Sequence, residues 1–372
     1  MDQKRQQDFR SFKDMKKLLS VLPLLTVVIG IHLLTSATDT MYYLTQMTMS
    51  AYYALLIIGL CVLMGYAGQI SLGHAGFFAI GGYLSAALTT HSLIPYQDTA
   101  IVSFLDSAGI LLAGHDLYGE ALLVVSPWIA CLVAVCTAAI IAVIIGIPVL
   151  KLKGHYLAMA TLGFGIIIYR VALALEYFGE ADGISEVPAF VLFTGLSVSG
   201  NLGDRVQNYY IAWGLLLIGM VLLLNLIDSR VGRALRGIHG SDEAANAMGV
   251  NTSRFKLQTF VLSAVFAAVA GVFLTHYNGG IGPSEAGVMK SVRYVAIVAV
   301  GGMAHLWGAL LMGIILNFLS LRGVFGSYDD AVFGLILIVI MLFAPNGILS
   351  LNIRHRLKQY FRRGKEDREG GA

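Results

Sequence analysis

Charge is what this sequence has least of. Only 13% of its 372 residues are Asp, Glu, Lys or Arg, about half the share found in soluble domains. Proline is scarce, at 7, and cysteine scarcer, at 3. Cys61, Cys131 and Cys136 all fall inside apolar runs. They show no metal-ligand spacing and read as small hydrophobes. Several chemistries are missing outright. There is no Gly-x-x-x-x-Gly-Lys-Ser/Thr phosphate loop, no His-Glu-x-x-His, no paired-cysteine motif and no Gly-x-Ser-x-Gly elbow. These absences argue against ATP hydrolysis by this chain, and against a membrane protease or esterase. No metal site is expected.

What is present is oil. Apolar residues make up 57% of the chain and the mean hydropathy is +0.76. Runs of this length and polarity predict an all-α polytopic membrane protein. The 42 glycines fit, because Gly lets membrane helices approach closely. Hydropathy places ten spans near 18–34, 42–64, 75–90, 121–149, 155–176, 208–228, 257–276, 289–303, 306–321 and 330–345. The charged start and first apolar run resemble a signal peptide, but another span follows at once, so an uncleaved first helix is expected. The span at 75–90 is short, and 289–321 reads as either one bent unit or two spans. Residues 101–113 are apolar but too short to cross, and read as a partly buried excursion.

The placement of charge tests this map. With ten spans, residues 1–17, 151–153, 229–256 and 352–372 share a side, and they hold twenty of the twenty-five Lys and Arg. The opposite segments 91–120 and 177–207 hold Arg205 against Asp98, Asp106, Asp116, Glu120, Glu180, Asp182, Glu186 and Asp204. The basic side, with both termini, is therefore expected to be cytoplasmic. The organisation reads as a cytoplasmic segment 1–17, a transmembrane domain 18–345 and a basic cytoplasmic tail 346–372. Such a tail sets topology and touches anionic lipid. Five spans precede the midpoint and five follow; the first group begins inside and the second begins outside, the pattern of an inverted 5+5 repeat.

The longest polar interruption is 229–256, with Arg230, Arg233, Arg236, Arg254 and Lys256. It carries its own helix punctuation. Ser241 is an N-cap, Asp242 and Glu243 suit the first turn, and Gly249 suits a left-handed C′. A two-turn helix over about 242–248 would present Ala244, Ala245 and Met248 to a partner. A plain topogenic loop explains the arginines but not the caps.

The stretch 65–82 holds six glycines and the polar side chains Gln69, Ser71 and His74. Broken backbone at membrane depth is tolerated only where protein or a water-filled cavity surrounds it. Gly68, Gln69, Ser71, Gly73 and His74 are thus candidates for a translocation path. A cytoplasmic turn followed by close helix packing explains them equally well. His74 alone reads as a hydrogen-bonded structural histidine. A matching Gly/Pro-broken stretch spans 277–285 and adds Asn278 and Gly279 to the candidates, although a simple external loop explains it equally well. Arg170 lies inside a span and is expected to snorkel outward. Lys290 and Arg293 sit at a span's outer end and read as interfacial anchors.

Four motifs resemble the LivM-type permeases of branched-chain amino acid ABC importers. They are Gly65-Tyr66-Ala67-Gly68-Gln69-Ile70-Ser71-Leu72-Gly73-His74-Ala75, Leu152 to Leu162, Ser229-Arg230-Val231-Gly232-Arg233-Ala234-Leu235-Arg236, and Ala344-Pro345-Asn346-Gly347-Ile348-Leu349. The resemblance covers roughly 45–350, in order. Within it, Glu243-Ala244-Ala245 and Gly249 look like the front of the coupling loop of importer permeases, without the family's Ile-x-Leu-Pro ending. The resemblance implies that Ser241, Asp242, Glu243, Ala244, Ala245, Met248 and Gly249, framed by Arg233 and Arg236, dock on an ATPase subunit. It implies a bacterial inner-membrane, multi-pass permease that imports branched-chain amino acids. Its partners would be a second LivH-like permease, two ATP-binding cassette subunits, a periplasmic substrate-binding protein and the lipid bilayer, with no nucleic acid. ATP and Mg would bind those partners, and no cofactor would bind this chain. Urea, short amides or other amino acids are alternative cargoes in the same class. An ion-coupled secondary transporter is disfavoured, because few spans carry a central acid.

Overall fold

The computed structural model describes residues 22–343 except 108, 116–118, 120, 153, 194 and 325. Residues 18–21 of the first expected span, Lys153, Asp116, Glu120, the 344–349 motif and the tail lie outside the described residues. The described chain is mostly helical. Its first half holds α1 (Leu22–Ala37), α2 (Tyr43–Ala67), α3 (His74–Thr90), the short α4 (Ala100–Ser107), α5 (Pro127–Val149) and α6 (His155–Ala174). Its second half holds α7 (Arg205–Asp228), the short α8 (Arg230–Gly240) and α9 (Asp242–Ala247), α10 (Thr252–Asn278), α11 (Val288–Gly301), α12 (Leu306–Leu321) and α13 (Asp329–Phe343). Among the described residues, five helical segments are long and apolar enough to cross a membrane: Tyr43–Ala67, Pro127–Val149, His155–Ala174, Leu202–Asp228 and Thr252–Asn278.

Two helices form the core. α2 is apolar all round and buried over most of its length, as a helix without a polar face must be. It packs against α7, α10 and α12. α10 packs against α2, α3 and α5. The α3–α10 contact is built on glycine. A Cβ on Gly81 would lie 2.2 Å from the Ala268 carbonyl oxygen, and one on Gly271 would lie 2.0 Å from that of Phe78. Two His–Ser hydrogen bonds bracket this seam. His74 Nε2 meets Ser263 Oγ at 2.7 Å and Ser85 Oγ meets His276 Nε2 at 2.8 Å.

α5 shows how the outer helices choose a face. Ala130, Ala134, Ala138, Ala142 and Gly146 recur every fourth residue and are buried, forming the small-residue stripe that close helix approach needs. Leu132, Ile140, Ile144 and Ile147 point outward and stay exposed. Comparable apolar residues are exposed on α6, α7 and α13. A belt of this kind is suited to lipid rather than water.

The pairings repeat between the halves. α3 packs on α5 as α11 packs on α12, α3 on α6 as α11 on α13, and α5 on α10 as α12 on α2. Both α2 and α10 end on a left-handed glycine, Gly68 and Gly279, each with φ 67°.

Two departures from the sequence reading concern local structure. The expected span 121–149 starts as a helix only at Pro127, because 121–125 is a strand. That strand, β2 (Ala121–Val125), pairs antiparallel with β1 (Leu111–His115), and α4 precedes them. The fold is therefore not purely α. β3 (Ile184–Ser185) pairs with β6 (Gly280–Ile281), and β4 (Phe190–Phe193) with β5 (Leu196–Val198). These pairs bridge loops at one end of the bundle, where unpaired backbone groups must find partners. Of the two readings open for 289–321, the structure has the two helices. Gly302, at φ 100°, breaks the segment, and Gly301 lies against the Gly308 backbone.

Candidate functional site

The two ends of the bundle differ in chemistry. One end carries the turns 68–73, 150–154, 229–251 and 302–305. Direct contacts tie these turns together. Tyr66 Oη donates to the Ala304 carbonyl at 2.9 Å, and a Cβ on Gly68 would sit 3.0 Å from His239 Nδ1. Gly146, near the end of α5, lies against Leu257 at the start of α10. This is the basic end. The opposite end holds the β pairs and most of the acidic residues.

At the basic end, 229–251 folds into two helices where one was expected. Ser229 caps α8, its Oγ accepting from Val231 N–H at 3.1 Å and Gly232 N–H at 3.4 Å. α8 is amphipathic: Gly232, Leu235 and Ile238 are buried, while Arg230, Arg233, Arg236 and His239 are exposed. A Cβ on Gly232 would lie 2.0 Å from the Ile227 carbonyl oxygen. Arg236 donates to that same carbonyl at 3.3 Å and lies over the Tyr66 ring, 5.7 Å from its centroid. Arg233 donates to the Asp228 carbonyl at 3.4 Å. The arginines thus close the end of α7 and fix α8 on the end of α2.

α9 has the punctuation expected of it. Ser241 Oγ accepts from Ala244 N–H at 3.2 Å. At the far end Gly249 takes φ 82°, and Gly249 N–H and Val250 N–H donate to the Asn246 and Ala245 carbonyls at 2.9 and 3.0 Å. This is the paired-bond stop of a Schellman motif. Asp242 forms an ion pair with Lys256 of α10, and Thr252 donates to Asn246 Oδ1 at 3.2 Å. A two-turn helix that could not persist alone is therefore clamped at both ends. Its outward face differs from the expected one. Ala245 is 6% exposed and joins the chain's own core. Glu243, Ala244, Ala247 and Met248 face out, Met248 at 84% exposure. A helix fixed from below can offer only its other side.

The candidate path residues do not converge. Gly68, Gln69, Ser71, Gly73 and His74 lie at the basic end, and Asn278 and Gly279 at the other. The 68–73 turn is embedded in protein. Leu72 N–H donates to Thr161 Oγ1 at 3.0 Å, and a Cβ on Gly73 would meet the Thr161 carbonyl at 2.6 Å. His74 is buried with both ring nitrogens engaged, by Ser71 Oγ at 3.1 Å and Ser263 Oγ at 2.7 Å. That geometry suits a structural histidine. Gln69 is 3% exposed, and neither of its amide atoms has a partner among the described residues.

Arg170, Lys290 and Arg293, the charges singled out from the sequence, sit near the other end. Arg170 is exposed, one turn from the end of α6, as snorkelling requires. Lys290 and Arg293 are not interfacial anchors. Lys290 pairs with Glu285 at 3.0 Å, while Arg293 pairs with Asp329 at 3.2 Å and Asp330 at 2.8 Å and donates to Ser320 at 2.9 Å. Spacing along α11 showed where the charges lie but not the acids brought by neighbouring segments. Among the described residues, no three His, Cys, Asp or Glu side chains form a metal-binding group.

Comparison with known proteins bears on all of this. The family described as the permease component of branched-chain amino acid transport systems matches residues 42–342. The LivM permease protein of the high-affinity branched-chain amino acid transport system of Escherichia coli (strain K12) is 29% identical over 332 residues, covering 84% of this chain and 70% of LivM. LivH of the same organism is 29% identical over 330 residues, covering 83% of this chain and 96% of LivH. The ribose import permease RbsC of Haemophilus influenzae is 25% identical over 296 residues, covering 73% of this chain and 88% of RbsC. No solved structure matches. By the family match across most of its length, this chain belongs to the permease components of branched-chain amino acid transport systems.

Proposed function

We propose that the chain is one of two permease subunits of an ATP-driven importer that carries branched-chain amino acids across the bacterial cytoplasmic membrane. The family match over 42–342 carries this reading. In this reading α1, α2, α3, α5, α6, α7, α10, α11, α12 and α13 are ten spans. The recurring pairings of α3, α5 and α6 with those of α11, α12 and α13 support an inverted 5+5 repeat. The basic end faces the cytoplasm, a side supported by Arg230, Arg233, Arg236, Arg254 and Lys256. Residues 1–17 and 346–372 are cytoplasmic in the same scheme.

ATP and Mg belong to two partner ATPase subunits. A LivH-like second permease and a periplasmic binding protein complete the assembly. The outward face of α9, with Glu243, Ala244 and Met248, docks on an ATPase subunit, and α8 carries the resulting movement to the end of α2. The clamps at both ends of α9 support this role, since a lever must be stiff. In vesicles holding the assembled importer, leucine uptake should require both ATP and this chain. Uptake driven by an ion gradient without ATP would contradict the reading.

A further inference from the structure

The acidic end holds a charge pair beside a tyrosine of α2. Glu285 precedes α11 and Lys290 lies in its first turns. Lys290 Nζ is 3.0 Å from Glu285 Oε1 and 3.3 Å from Tyr53 Oη. Tyr53, on α2, donates to both Glu285 oxygens at 3.2 Å. Its ring lies under the ammonium, 5.0 Å from centroid to Nζ. The two charged side chains are only partly covered, with 27% and 19% exposure. Tyr294, one turn after Lys290, has its ring 6.1 Å from that of Tyr53. Its hydroxyl is buried, 1% of the residue being exposed, with no hydrogen-bond partner among the described residues. The Tyr83 hydroxyl is likewise buried without a partner there, and Tyr83 packs in one apolar cluster with Ala286, next to Glu285.

Taking an ion pair partly out of water seldom adds stability over an apolar contact. Phenols buried without partners cost more. Arg293 makes a useful contrast. Two aspartates and Ser320 engage it, and it ties α11 to α13. Lys290 and Glu285 are one partly exposed cation and one partly exposed anion, beside the Tyr83 and Tyr294 hydroxyls with unused donors. That is the complement of a zwitterion.

We propose that Glu285 and Lys290 are the receiving site for the charged ends of a free amino acid at the outer mouth. The ammonium group takes the place of Lys290 on Glu285. The carboxylate binds Lys290 and the Tyr294 hydroxyl. The inference rests on the transport reading above.

The test uses the complete importer in proteoliposomes with saturating, leucine-loaded binding protein. Glu285→Gln and Lys290→Met should each lower leucine uptake by about tenfold or more, the loss expected for one charge-assisted hydrogen bond. The swap Glu285→Lys with Lys290→Glu should restore the melting temperature of the purified complex but not uptake. Tyr294→Phe removes only an unpartnered hydroxyl, so it should leave the melting temperature unchanged and still slow uptake. Swapped variants that recover both stability and uptake would identify a structural clasp and overturn the proposal. Wild-type uptake in Tyr294→Phe and the single-charge variants would do the same. A wild-type importer that carries no leucine overturns the transport reading itself, and the proposal with it. Variants that match a leucine-carrying wild type overturn the proposal alone.

Discussion

Gly81 and Gly271 let two membrane helices touch through their backbones. A leucine at 271 would drive its Cβ onto the Phe78 carbonyl, 2.0 Å away. Overpacking costs about 1–3 kcal/mol, and more where the obstacle is backbone. Gly271→Leu should therefore sharply lower the melting temperature and yield of the purified permease. Gly163→Ala, with open space at its Cβ, should not. A Gly271→Leu protein as stable as the parent would refute the described α3–α10 seam. The sequence displayed Gly81 in a broken stretch and left Gly271 unremarked inside an apolar run, and it could not say that the two face each other. His74 was legible as a structural histidine, because a lone His in an apolar run needs partners. The identity of Ser263, nearly two hundred places on, was not.

At the scale of elements, local signals were readable and distant ones were not. α9 was legible because Ser241 and Gly249 act on their own neighbours. Ser241→Ala should cost about 1 kcal/mol, and Gly249→Val about 1–2 kcal/mol for its left-handed backbone. Hydrogen exchange across 243–248 should speed up in both variants while the rest of the bundle keeps its protection. Unchanged exchange there would mean that the caps do not hold α9. α8 was missed because its buried face is only Gly232, Leu235 and Ile238, set among arginines. The inward turn of Ala245 was missed for a different reason. A two-turn helix shows its faces only once the clamps from Lys256 and Thr252 are known. The strand at 121–125 was hidden because only Ser126 separates it from an apolar helix. Ser126, a residue suited to an N-cap, and Pro127, suited to a first helical turn, were the available marks of the boundary.

For the whole molecule, charge asymmetry gave the two ends and hydropathy gave the helices. Their mutual packing came only from the structure. Lys290 and Arg293 illustrate the gap: position suggested lipid headgroups, but Glu285, Asp329 and Asp330 turn them to protein. The proposed orientation makes a plain forecast. With Cys131 and Cys136 replaced by serine, a cysteine at exposed Met248 should react with a membrane-impermeant thiol reagent only in inside-out vesicles. One at exposed Phe193 should react only in right-side-out vesicles. Labelling of both from one side would refute the ten-span topology.

The central claim is that the outward face of α9 meets an ATPase subunit. In the same cysteine background, Met248→Cys should form a disulfide or short cross-link to that subunit in the assembled importer, with a yield that changes when ATP is added. Phe193→Cys at the opposite end should form none. No cross-link from position 248 in an importer that still transports leucine would contradict the account.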